Sequence, residues 1–262
     1  MSDRYAVIGN PVAHSKSPWI HARFARDTGQ DLEYGRIEAP MDGFAAAVDK
    51  FRASGGKGLN VTLPFKEQAR RYSGRVSERA AQVVNTLVFA DGVFGDNTDG
   101  VGLVRDLSGN LGVELKGRSV LLMGAGGAAQ GVVGALLEAG VVRLTIANRT
   151  LERAQALAAR FPGVTASGYE ALAGPVDVVV NATSAGLAGR APELPRGVLV
   201  KATLAYDMVY GKETAFLAAA RAAGARAIDG FGMLVEQAAE SFFLWRGVRP
   251  ETGQVLKDLR GA

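Results

Sequence analysis

Four polar clusters in the N-terminal part of the chain carry residue types that bind and protonate small polar molecules. They are HSKSP (His14 to Pro18), NVTLPFK (Asn60 to Lys66), VNT (Val84 to Thr86) and GDNTDG (Gly95 to Gly100). Between them they offer the hydroxyls of Ser15, Ser17 and Thr62, the amides of Asn60 and Asn85, the amine of Lys66 and the carboxylate of Asp99. Hydroxyls and amides recognise polar groups by hydrogen bonds, and a lysine adds positive charge with transferable protons. Taken singly, each residue has an ordinary explanation. Ser17 can cap a helix, Thr62 can close a strand, Asn85 can open a hairpin, Asp99 can cap a helix beginning at Gly100, and Lys66 can be a solvated helix residue. Strand ends in an α/β unit converge on one crevice, however, and there the same inventory suits a small polyhydroxylated acid better than a hydrophobic ligand.

A second constellation is SVLLM-GAGGAA, Ser119 to Ala129. Glycines follow a buried strand directly and precede an Ala-rich helix. Gly124 permits the tight turn, Gly126 lets the backbone approach a pyrophosphate, and Ala129 allows close packing of helix on strand. The amides opening the helix then face the anion. At the end of the next strand an NAD site expects Asp or Glu for the ribose 2′-hydroxyl. This chain has Asn148, Arg149 and Thr150, with Arg153 one helical turn later. Two guanidiniums bind a 2′-phosphate where an acid would repel it, so NADP is favoured over NAD. Thr150 can cap the following helix at the same time.

The elements that must position these groups alternate along the chain. Strand-like runs cover Arg4 to Gly9, Leu32 to Ala39 and Gly58 to Leu63, with helices over Ser17 to Thr28 and Asp42 to Ser54. Ser17, Pro18 and Gly29 mark the limits of the first helix. Pro64 opens another helical stretch, Ser77 is placed to cap the next, and Asn85 to Gly95 reads as a hairpin about Asp91-Gly92. A second series starts near Ser119 with strands SVLLM, RLTIA, DVVVN, VKATLAYD and ARAID. Its helices include Ala128 to Ala139 and Leu151 to Arg160, and Phe231 to Trp245 is the last long one. Gly109 to Gly117 is the most linker-like stretch. Alternation of this kind implies α/β architecture with mostly parallel strands, in two units that meet just after Asp99.

Composition removes other classes. A chain of 262 residues, 48% hydrophobic and 21% charged, with mean hydropathy +0.08, has ample material for globular cores. It has no Cys and only two His, which argues against disulfides, thiolate chemistry and a metal centre. The net charge of +4 is scattered, so a nucleic-acid footprint is missing. No apolar run is long enough to span a bilayer and the first residues do not resemble a signal peptide, so a cytoplasmic location is expected.

Together these segments resemble the shikimate dehydrogenase family, NADP-dependent enzymes that reduce 3-dehydroshikimate to shikimate, in its monofunctional bacterial form. The resemblance runs from AVIGNPVAHSKSP to the final helices and adds NRTLER, NATSAG, YDMVY and DGFGMLVEQA to the motifs above. ERAAQVVNT and GKET are shorter than the usual form. The resemblance implies an N-terminal substrate domain, residues 1–99 with 231–262, and a C-terminal Rossmann-like NADP-binding domain, residues 100–230. It implies that Lys66 is the catalytic acid/base, paired with Asp99. Ser15 and Ser17 match the substrate-carboxylate contacts, with Tyr210 on the same side. Thr62, Asn85, Asp99 and Gln237 match residues that bind the ring hydroxyls, beside Asn60. Gly124, Ala125, Gly126, Gly127 and Ala128 match the NADP loop, and Asn148, Arg149, Thr150 and Arg153 the 2′-phosphate clamp. Met208 and Gly230 match positions beside the nicotinamide. No metal is implied. The expected role is in aromatic amino-acid (chorismate) biosynthesis, as a monomer or homodimer, with no nucleic-acid or membrane partner. The alternatives are a quinate/shikimate dehydrogenase, often NAD-linked, and a non-catalytic dinucleotide sensor; retention of Lys66 and Asp99 weighs against the sensor.

Overall fold

A computed structural model describes residues 2–185 and 194–261; Gly186, the last residue of the NATSAG motif, lies outside them. The chain forms β1 (Asp3–Gly9), α1 (Ser17–Thr28), β2 (Leu32–Glu38), α2 (Phe44–Ala53), β3 (Gly56–Val61), α3 (Lys66–Tyr72) and β4 (Arg75–Val76). Then come β5 (Thr86–Ala90), β6 (Gly92–Asp96), α4 (Asp99–Arg105), β7 (Ser119–Met123), α5 (Gly127–Gln130), α6 (Val133–Glu138) and β8 (Arg143–Ala147). The remainder is α7 (Leu151–Ala158), β9 (Thr165–Ser167), β10 (Val178–Asn181), β11 (Leu204–Asp207), α8 (Ala215–Ala222), β12 (Arg226–Ile228), α9 (Phe231–Arg246) and α10 (Gly253–Arg260). Two compact units result: unit 1 is residues 1–103 with 234–262, and unit 2 is residues 104–233.

Unit 1 contains a six-stranded sheet in the order β2-β1-β3-β5-β6-β4. The first three strands run parallel, while β5 is antiparallel to both β3 and β6. One of its cores joins Ile8, Leu59 and Leu87 to Phe44, Val48 and Phe65. Full burial of each large side chain contributes about 2 kcal/mol. On another side Trp245 of α9 stacks on Tyr5 at 4.6 Å and donates its indole N–H to Leu87 O at 3.0 Å. Arg79 forks onto Asp96 at 2.7 and 2.6 Å and reaches Glu240 of α9, which also accepts from Arg249.

Unit 2 contains six parallel strands in the order β12-β11-β10-β7-β8-β9. The order reverses between β7 and β10, the doubly wound arrangement whose carboxyl-end switch point receives dinucleotides. The continuous apolar run SVLLM fits a strand covered on both faces, and every residue of β7 is buried. Leu121, Met123, Val179 and Ala205 pack under Phe216 and Leu217 of α8.

Several local expectations change. Pro18 lies in the first turn of α1 and Gly29 ends it at φ 65°, as read from the sequence, but Lys16 rather than Ser17 holds the cap position. Ser17 is the first helical residue, and its N–H donates to Ser15 Oγ at 3.3 Å. Asp99 likewise opens α4 instead of capping it; its N–H donates to Asn97 Oδ1 at 3.0 Å. Ser77 precedes only a short 3₁₀ turn, and its hydroxyl is taken by Asp96. The helix expected over Ala128 to Ala139 breaks into α5 and α6 at Gly131 and Val132, where a glycine and a β-branched residue weaken the turn. The linker-like stretch begins as a π-turn at Asp106–Asn110, and α10, β4 and β9 were not foreseen.

Candidate active site

Strand register assembles the polar groups of unit 1. Asn60 of β3 pairs with Thr86 of β5, and Thr86 with Asp96 of β6, so one row across three strands carries polar side chains. The chain beyond β6 turns through Asn97 and Thr98 to Asp99 at the start of α4, while the chain beyond β3 reaches Lys66 at the start of α3. Lys66 Nζ lies 2.5 Å from Asp99 Oδ2, and their side chains are 16% and 8% exposed. The other carboxylate oxygen, Asp99 Oδ1, accepts from Asn85 Nδ2 at 2.9 Å. Asn85 Oδ1 in turn accepts from the Thr98 N–H at 2.8 Å and from Thr86 Oγ1 at 2.9 Å. Gln237 of α9 presents Oε1 to Asn85 Nδ2 at 3.5 Å and to Thr98 Oγ1 at 3.4 Å.

Of the residues singled out in the sequence, Asn60, Lys66, Asn85, Asp99 and Gln237 thus form one connected cluster. Ser15 and Ser17 are buried at the start of α1, and Thr62 follows β3 with partial exposure. Tyr210 belongs to unit 2, where its ring lies 5.4 Å from that of Phe231. Tyr34, Thr86, Thr98 and Ser241 complete the unit 1 network but stood outside the sequence reading. Thr86 belongs to VNT and Thr98 to GDNTDG, whereas Tyr34 and Ser241 belong to no motif.

His21 packs against this network. It is fully buried, both ring nitrogens lack a hydrogen-bond partner, and its ring lies on that of Tyr34 at 4.2 Å and 4°. Burial lowers its pKa from 6.5 to about 3, with only partial opposition from the nearby Asn60. The folded chain therefore resists a proton that the unfolded chain accepts below about pH 6.5. The stability contribution is whole above that pH and declines by about 1.4 kcal/mol per pH unit as pH falls toward 3. Urea unfolding at pH 6, 5 and 4 should show this slope reduced in His21→Phe; an unchanged slope would sink the assignment. His14 is exposed, and no group of residues suited to a metal occurs among the described residues.

Unit 2 offers a different chemistry. Gly124 leaves β7 at φ 103°, and a Cβ there would lie 3.2 Å from Thr183 and 3.3 Å from the Ala182 carbonyl. Above Gly126 the space is open: a Cβ would meet nothing within 4 Å. Gly126 leads into Gly127 and Ala128 of α5 without a capping side chain, so the loop is free to receive an anion on its backbone. At the end of β8, Asn148 Nδ2 donates to Thr150 O at 2.8 Å, shaping the turn that carries Arg149. Arg149 and Arg153 are exposed and make no ion pair among the described residues. Burial raises the Tyr169 phenol to about 12, partly offset by Arg149. Glycine loop and exposed guanidiniums therefore fit a phosphorylated dinucleotide. Met208 and Gly230 also come together, since a Cβ on Gly230 would fall 2.5 Å from Met208 O. Asp207 fixes that loop by accepting from Asn181 Nδ2, the Val209 N–H and Thr214 Oγ1 at 3.2, 3.1 and 2.5 Å. Burial raises its pKa against those three donors.

A doubly wound, dinucleotide-type sheet and a second α/β unit with a lysine–aspartate pair define a nicotinamide-dependent oxidoreductase. Residues 7–87 match the profile of the shikimate dehydrogenase substrate binding domain, residues 106–188 that of shikimate / quinate 5-dehydrogenase, and residues 230–260 that of the shikimate 5′-dehydrogenase C-terminal domain. The chain belongs to the shikimate dehydrogenase family. It is 59% identical to the shikimate dehydrogenase (NADP(+)) of Nitrosospira multiformis, covering 100% of this chain and 98% of that protein. Among solved structures, the Ael1 enzyme from Pseudomonas putida superposes with a TM-score of 0.93 at 52% identity, over 98% of each chain. Shikimate 5-dehydrogenase from Thermus thermophilus, solved with NADP(H) and shikimate, gives 0.87 at 35% identity over 99% of each. Among the described residues no helix is long and apolar enough to cross a membrane.

Proposed function

We propose that this chain interconverts shikimate and 3-dehydroshikimate with NADP, in the biosynthesis of chorismate and the aromatic amino acids, and that Lys66 is its acid–base group. The observation that carries this reading is the 2.5 Å contact between Lys66 and Asp99 inside the amide and hydroxyl cluster of unit 1. Reduction of a ketone builds negative charge on its oxygen. Lys66 as ammonium offsets that charge and transfers a proton; as amine it recovers one in the oxidising direction. Asp99 holds the amine with one oxygen while Asn85 holds the other. Ser15 and Ser17 take the substrate carboxylate, and Thr62, Asn85, Asp99 and Gln237 take the ring hydroxyls, with Asn60 beside them.

NADP(H), when bound, supplies the hydride chemistry. Gly124, Ala125, Gly126, Gly127 and Ala128 would hold its pyrophosphate, and Asn148, Arg149, Thr150 and Arg153 its 2′-phosphate. Met208 and Gly230 would lie beside its nicotinamide. An absorbance assay of purified chain with shikimate or quinate against NADP or NAD tests the proposal. Fast NADPH formation from shikimate is expected. No reduction with either substrate would overturn it, and preference for quinate with NAD would replace it with a quinate dehydrogenase.

A further inference from the structure

In the unit 1 network the orientation of the Asn85 and Asn60 amides can be read from neighbours whose donor or acceptor character is not adjustable. The Thr98 N–H can only donate, so the atom of Asn85 facing it is Oδ1, and Asn85 Nδ2 faces Asp99. The Asn85 carbonyl can only accept, so the atom of Asn60 facing it at 3.4 Å is Nδ2. Asn60 Oδ1 then faces Tyr34, whose hydroxyl donates to it at 2.7 Å. Between the two amides, Asn60 Nδ2 donates to Thr86 Oγ1 at 3.2 Å, and Thr86 Oγ1 donates to Asn85 Oδ1 at 2.9 Å. Ser241 donates to the Gln237 carbonyl at 3.0 Å, leaving its oxygen to accept from Asn60 Nδ2 at 2.9 Å. One path of donors, Tyr34 to Asn60 to Thr86 to Asn85, therefore leads to Asp99, while the Ser241 branch ends on the Gln237 carbonyl.

We propose that Tyr34 and Ser241 are positioning residues for the Lys66–Asp99 pair: they hold the Asn60 amide in place, and through Thr86 it joins the Thr98 N–H in holding the Asn85 amide on Asp99. This rests on the acid–base reading above. Tyr34 is suited to the far end of such a chain. Its ring is held flat against buried His21, and burial keeps its phenol neutral by raising its pKa well above the usual value, against the pull of Ser17 and Arg36. A hydroxyl held so donates at any working pH. Without it, Asn60 Oδ1 loses its donor and the amide is held through Nδ2 alone, so its position beside Thr86 loosens.

Tyr34→Phe keeps the ring on His21 and removes only the hydroxyl; Ser241→Ala removes the second partner of Asn60. In steady-state shikimate oxidation each variant is expected to lower kcat about five- to tenfold, with the KM for NADP unchanged. The double variant should lose less than the product of the two single losses, because both act on one amide. Values of kcat within twofold of wild type in folded variants would overturn the inference. So would a rise confined to the shikimate KM, which would make Tyr34 a substrate contact, and so would independent, multiplicative losses. Thermal melts identify a variant whose loss is merely of fold. Wild-type activity separates the two levels: an inactive wild type removes the proposed function and this inference with it, whereas an active one with indifferent variants removes this inference alone.

Discussion

Lys66→Ala should lower kcat by about 10²–10⁴-fold, the usual contribution of a positioned general acid, while the KM for shikimate changes little. The ring contacts assigned to Thr62, Asn85 and Gln237 are untouched by the change, which is why binding should persist. Asp99 keeps its hydrogen bond from Asn85 but loses its ammonium partner, leaving a carboxylate only 8% exposed. Some stability is lost with it, because a buried charge is costly without its counter-charge. Kinetics should therefore be paired with a thermal melt, so that the fall is measured on folded protein. A folded Lys66→Ala variant with near-native kcat would remove Lys66 from proton transfer.

The second large effect concerns the cofactor. Removing both guanidiniums in Arg149→Ala/Arg153→Ala should reduce kcat/KM for NADPH by about tenfold to a hundredfold. That is the lower end of what two charge-assisted bonds contribute, because both side chains are exposed and water screens them. NADH has no 2′-phosphate, so its kcat/KM should hardly move, and the preference should narrow from one side. Raising ionic strength should weaken NADPH use by wild type more than by the variant. Equal use of both cofactors by the wild type would show that NRTLER does not select NADP.

Much of this architecture follows from features visible along the chain. SVLLM-GAGGAA announces a buried strand and an anion loop, and the structure has both, with Gly124 at positive φ and open space over Gly126. Pro18 and Gly29 bound α1 as their backbone chemistry requires. What could not be read depended on register. Ser241 is one hydroxyl in an apolar helix, and it matters because α9 brings it against Asn60, 181 positions earlier. Tyr34 looks like an ordinary strand residue until β2, β1 and β3 lie side by side. The break between α5 and α6 was hidden because an Ala-rich composition favours helix on both sides of Gly131. α10 does not stand out along the chain because Val255, Leu256 and Leu259 make too short an apolar stripe.

Both tryptophans of the chain, Trp19 and Trp245, lie in unit 1, and none lies in residues 104–233. Trp19 is 42% exposed, whereas Trp245 is clasped between Tyr5 and the Leu87 carbonyl. Intrinsic indole emission is thus a one-sided gauge. It follows the docking of the C-terminal segment onto strands made near the start of the chain and is blind to the doubly wound sheet. A melting curve recorded that way reports the half of the molecule that carries Lys66, and circular dichroism must be added before the other half is heard.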